Sequence, residues 1–133
     1  MGVVSGGIVL KLFHKLIDQL GEFMDCNFGI MDETGLILSC SDASAAGTIH
    51  PAAAEVLGSE SVFYEAQGQL FQKVLIKGKE EFIVFIEKKG EQSRQLLSML
   101  AVNVSNIRYY YEEKFDRANF IKNIITDNIL PGD

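Results

Sequence analysis

Five consecutive apolar residues, Phe82-Ile83-Val84-Phe85-Ile86, stand between Glu80-Glu81 and the charged run Glu87-Lys88-Lys89. Successive side chains of a strand point to opposite faces, so an unbroken apolar run has both faces covered. The run predicts a central strand with other structure packed above and below it. That requirement dominates the choice of fold.

Two neighbouring segments supply partners for this strand. Ser61 to Ala66 and Gln69 to Lys77 precede it, and the strand itself spans about Glu81 to Lys88. Gln67-Gly68 and Gly78-Lys79 read as tight hairpin turns. In the middle strand Leu70, Gln72, Val74 and Ile76 alternate with Phe71, Lys73, Leu75 and Lys77. An earlier hairpin pairs Asn27–Met31 with Leu36–Cys40 through Asp32-Glu33-Thr34-Gly35, where Gly35 supplies a positive φ.

Helical spacing appears at both ends. Val9, Leu12, Phe13, Leu16, Ile17, Leu20, Phe23 and Met24 make a wide apolar stripe on a helix from about Gly7 to Asp25. The stripe is broader than one sheet contact requires, which predicts a partner helix as well. A short helix is expected from Pro51 to Leu57, with Pro51 in the first turn and Gly58 as the stop. The last helix runs from about Gln92 to at least Ile125. Leu97, Leu100, Val104, Ile107 and Tyr111 form a heptad seam on it, and Phe115 and Ala118 then break the phase. Leu130-Pro131-Gly132-Asp133 is expected to end it.

The resulting order is helix, two strands, short helix, three strands, long helix. It predicts an α+β domain with a PAS- or GAF-like five-stranded antiparallel sheet and a signalling helix at its end. With 133 residues, 47% of them apolar, there is material for one core. The expected organisation is a flexible lead-in at 1–7, a sensor domain at 8–110, and a connector at 111–133.

The composition excludes several function classes. The net charge is −6 and no basic run occurs, so direct nucleic-acid binding by this segment is not expected. No apolar stretch reaches the length of a membrane helix. Met1-Gly2-Val3-Val4-Ser5-Gly6-Gly7 lacks the basic start of a signal peptide, and the expected location is the cytoplasm. Cys26 and Cys40 have no metal spacing and read as buried thiols in a reducing compartment. No nucleophile–base order, phosphate loop or haem motif is visible, so neither an enzyme nor a cofactor is expected.

Two stretches resemble a known family. Ile30-Met31-Asp32-Glu33-Thr34-Gly35-Leu36-Ile37-Leu38-Ser39, followed by Asp42 and by Gly47-Thr48-Ile49-His50, is similar to a pattern of strand, D-x-x-G, strand and G-T-x-H loop. That pattern is found in the N-terminal part of CdaR/PucR-like regulators of sugar-diacid and purine catabolism. Phe120 to Asp133 resembles the segment that introduces the next domain in such proteins. There a GGDEF-like region and a helix-turn-helix would follow. The family's loop often carries an Arg before the Gly-Thr pair, where this chain has Ala45 and Ala46. The resemblance implies a sensory domain of a transcription regulator that binds a small polar metabolite and signals through its last helix.

The candidate ligand site is the space between the sheet and the loop from Ser41 to His50. Asp42, Gly47, Thr48 and His50 offer a carboxylate, an open backbone, a hydroxyl and an imidazole within one short stretch. Lys73 would add a cation for an acidic ligand. Each has a structural alternative: Asp42 and Thr48 can hold the loop together, and His50 can cap the short helix. Lys73 can simply face solvent, as His14 on the polar side of the first helix is expected to do. A parallel homodimer is expected through Leu16 and Leu20 of the first helix and Leu97, Leu100, Val104, Ile107 and Tyr111 of the last. The competing function is a dimerisation or connector module with no small-molecule ligand.

Overall fold

The computed structural model describes residues 2–122, with side chains from 7 to 111. In chain order these residues form α1 (Gly2–Gly21), β1 (Phe28–Asp32), β2 (Ile37–Cys40), α2 (Ala53–Leu57), β3 (Phe63–Ala66), β4 (Gln69–Ile76), β5 (Lys79–Ile86) and α3 (Glu91–Lys122). The strands make one antiparallel sheet in the order β2-β1-β5-β4-β3. The apolar run of β5 therefore occupies the centre, and Phe82 to Ile86 are all buried.

Both faces of the sheet are covered, as that run requires. On one face Phe28, Ile30, Leu70, Val74, Ile76, Phe82, Val84 and Ile86 meet Val9, Phe13 and Ile17 of α1 and Leu97, Leu100, Ala101 and Val104 of α3. Phe13 meets Phe82 edge-on, with ring centroids 5.2 Å apart. On the other face Met31, Phe71, Ile83 and Phe85 meet Ala52 and Val56 at α2. The broad stripe of α1 has the helix partner it called for: Leu16 and Leu20 are half-buried against the core that α3 completes.

Local chemistry sets the turns. Asp32 Oδ1 accepts from the Thr34 and Leu36 N–H groups and from the Thr34 hydroxyl, folding the D-x-x-G segment on itself. Gly35 has φ +92 and lies against Ala53 of α2, where a Cβ would collide. Gln67-Gly68 and Lys77-Gly78 each have positive φ at both positions, the signature of type I′ hairpins. The second turn is thus one residue earlier than Gly78-Lys79, because Lys77 accepts φ 55 and Ile76 pairs with Lys79.

Other boundaries also differ from expectation. α1 begins at Gly2, inside the segment read as a flexible lead-in, and ends at Gly21 rather than Asp25. α2 begins at Ala53, two residues after Pro51. The expected seam of α3 faces its own sheet: Leu97, Leu100 and Val104 are buried in the chain's own core, and Ile107 and Tyr111 pack on its margin. The same core takes Leu16 and Leu20. Leu97, Leu100 and Val104 therefore offer no free surface to a second chain, while Leu16, Leu20, Ile107 and Tyr111 are partly buried. The expected helix end at Leu130–Asp133 and most of the stretch from Phe120 onward lie outside the described residues.

Candidate functional site

The loop after β2 is tied down by its own polar groups. Asp42 caps a single 3-10 turn, Ala43–Ala45, by accepting from the Ser44 N–H at 3.1 Å and the Ser44 hydroxyl at 2.7 Å. The Thr48 hydroxyl donates to the Ala45 carbonyl at 2.6 Å. Gly47, with φ +88, donates its N–H to the Ile37 carbonyl, and Ile37 donates to the Thr48 carbonyl. The loop thereby doubles back along β2. Asp42, Gly47 and Thr48 are exposed, and the carboxylate and hydroxyl bond within the loop.

His50 is placed differently. It is 3% exposed, with its ring between Phe71 and Phe85 at centroid distances of 5.0 and 4.7 Å, both edge-on. Nδ1 accepts from the Ala52 N–H at 3.0 Å, so the ring proton resides on Nε2, which faces Gln69 Oε1 at 3.1 Å. The His50 carbonyl accepts from the Ala53 N–H, and the His50 N–H donates to the Gly35 carbonyl. One backbone bond and one ring bond of His50 therefore take the first N–H groups at α2, whose N-cap Ala52 has no side chain able to do so, while the bond to Gly35 ties the residue to the β1–β2 turn. Burial holds the imidazole below its ordinary pKa of 6.5, against smaller upward contributions from Gln69 and Glu87.

Lys73 corrects the expectation of a solvent-facing side chain. It is 3% exposed and lies on the α2 side of β4, two residues from Phe71. Its ammonium donates to the Ser59 carbonyl and lies 3.4 Å from Glu80 Oε2. The α2–β3 connection crosses over it, and the Val62 carbonyl accepts from the Lys73 N–H. Sheet alternation puts Gln69, Phe71 and Lys73 on the α2 face of β4, where His50 packs on Phe71, while Asp42, Gly47 and Thr48 are exposed in the loop beyond β2. Every buried polar side-chain atom among the described residues has a hydrogen-bond partner.

Several participants carry no sequence signal. Gln69 meets His50 across 19 residues of chain, and Ser59 offers Lys73 only its backbone. His14, expected to be solvated, places Nδ1 2.7 Å from the hydroxyl of the buried Ser39. Cys26 and Cys40 are free and half-buried rather than buried, and burial raises both thiol pKa values. On the opposite side of the sheet a cleft of about 430 Å³ opens between the end of α1 and the start of α3, lined by Phe23, Met24, Cys26, Lys88, Gln92 and Leu96 among others. None of the expected ligand-site residues lines it. No group of three or more metal-ligating side chains occurs among the described residues. Nor is any described helix long and apolar enough to cross a membrane.

Comparison with known proteins places the fold. A chain of the crystal structure of the E. coli DhaR(N)–DhaL complex superposes with a TM-score of 0.59 at 16% identity, over 93% of this chain and 57% of that one. The chain thus spans little more than half the length of that neighbour, and the likeness is one of fold. No curated protein matches in sequence. A family model described as putative sugar diacid recognition matches residues 10–88, which hold β1 to β5 and most of α1. The chain belongs to the putative sugar diacid recognition family.

Proposed function

We propose that this chain is the ligand-sensing regulatory domain of a transcription regulator. It binds a small polar metabolite on the α2 side of the sheet, acidic ones being the first candidates, and reports occupancy through α3. It acts as a cytoplasmic homodimer, without catalysis and without itself touching DNA. The observation that supports this reading best is the buried ammonium of Lys73 on the α2 face of the sheet, in a family described by putative sugar diacid recognition. A buried cation suits a carboxylate better than any apolar ligand. In this reading Lys73 and His50 form the floor, and Asp42, Gly47 and Thr48 line the entrance.

One observation favours the second reading, a connector that binds nothing. His50 is fully bonded between two Phe rings, so a guest must displace α2 or its preceding loop. A thermal-shift screen of dicarboxylic acids, sugar acids, purines and amino acids decides between them, since a ligand of the folded state raises the melting temperature by mass action. A hit is then titrated by calorimetry against Lys73→Met and Thr48→Val. A screen without any hit favours the connector. Unchanged affinity in both variants moves the site elsewhere.

A further inference from the structure

The outward face of α3 carries no charged residue from Gln92 to Tyr110, about five helical turns. Gln95, Met99, Val102, Asn103, Asn106 and Tyr110 point away from the buried seam, and Met99 and Val102 are 62% and 58% exposed. The two cations within this stretch are both directed elsewhere. Arg94 stacks over Phe63 at 4.1 Å, and Arg108 binds Glu81 at 2.7 Å. Such a face is unusual on a chain with 23% charged residues and net charge −6. Charge depletion with exposed Met and aromatic side chains marks the core of an interface.

Met99, Val102 and Asn106 are spaced 3 and 4, a second seam on the side of α3 away from the one buried on the sheet. We propose that this seam packs in parallel against the same seam of a second copy, with Met99, Val102 and Asn106 along the dyad. Three observations choose that occupant. Two acidic chains repel over most of their surfaces, and this face brings no like charges together. A carboxamide both donates and accepts, so Asn106 can pair with its own copy, the role of a polar residue in a two-stranded seam. A different protein would find no charge here to steer or select it. The parallel sense follows from α3 itself. Its last described ties to the sheet are Arg108 to Glu81 and Tyr109 to the Lys77 N–H, yet the helix continues to Lys122. Parallel pairing sets those two extensions side by side.

This deepens the sensing-domain reading, and its failure is separable: ligand binding is read from melting temperature and self-association from mass. Sedimentation velocity of the 133-residue chain at micromolar concentration should give twice its 14.7 kDa mass. Met99→Glu with Val102→Glu should give the single-chain mass, with unchanged circular dichroism because both positions face solvent. Asn106→Cys in a Cys26→Ser, Cys40→Ser background should form an oxidised dimer and no larger species. A monomeric parent overturns the proposal, whatever else proves to cover the face. A dimer that survives the double Glu substitution overturns the surface, and a dimer of the Asn106→Cys variant that does not crosslink overturns the parallel register.

Discussion

Replacing His50 by Phe separates ring packing from ring hydrogen bonding. Phe keeps an aromatic ring between Phe71 and Phe85 but offers no acceptor to the Ala52 N–H. Ala52 is 1% exposed, so water cannot replace the lost acceptor. An orphaned buried donor costs about 1–3 kcal/mol. Gln69 is half-buried and recovers solvent, adding little. His50→Ala removes the ring as well, and aromatic truncation in a core raises the cost to about 3–5 kcal/mol. Against a domain stability of about 5–15 kcal/mol, both are large. Urea unfolding followed by circular dichroism should show a lower midpoint with unchanged slope. A His50→Phe variant within about 0.5 kcal/mol of the parent refutes the argument that the ring nitrogen starts α2.

The same bonds set a pH dependence. Protonating Nδ1 removes its capacity to accept from Ala52, and burial opposes the added charge. The folded pKa is lowered, so the unfolded chain binds more protons just below pH 6.5. The stabilisation is complete above 6.5 and declines as pH falls from there through the folded value. One proton limits the slope to about 1.4 kcal/mol per pH unit. Carboxylates titrate mainly near 4, which leaves about pH 5.5 to 6.5 as a clean window. His50→Phe should flatten stability there. An equal slope in parent and variant assigns the titration to another group.

Other substitutions follow from the same packing. Lys73→Met should fold and lose about 1–3 kcal/mol, because Glu80 is exposed enough to resolvate when its partner goes. Lys73→Glu should instead unfold the domain by pointing a carboxylate at the Ser59 carbonyl, and a folded spectrum at neutral pH argues against that burial. Gly35→Val combines a left-handed φ with a collision against Ala53, and a loss of at least about 2 kcal/mol is expected from chemical denaturation. Phe85→Asp puts an unpaired carboxylate at 1% exposure in the central strand, and circular dichroism should show an unfolded chain.

What the sequence disclosed depended on how far each contact reaches along the chain. Phe82 to Ile86 was legible because the unbroken run itself demands two covered faces, and β5 meets that demand. The α1 stripe was legible for the same reason, since its excess width required a second partner. Lys73 was not legible. An alternating strand assigns a charge to water by default, and the carbonyl that receives this one belongs to Ser59, 14 residues away. His50 was half-legible: its place before a short helix suggested a cap, but its seat between Phe71 and Phe85 depends on two strands that arrive later. The α3 seam shows the deeper limit. Spacing of 3 and 4 defines a face and says nothing of what that face meets. Leu97, Leu100 and Val104 read as a helix–helix seam, yet Val74, Ile76, Phe82 and Val84 on the sheet also had to be covered. Those strands belong to the same chain, so their apolar face is always present beside the helix, whereas a second copy must be recruited from solution. The strongest seam therefore goes to the sheet, and the weaker, uncharged stripe opposite it is what remains for a partner.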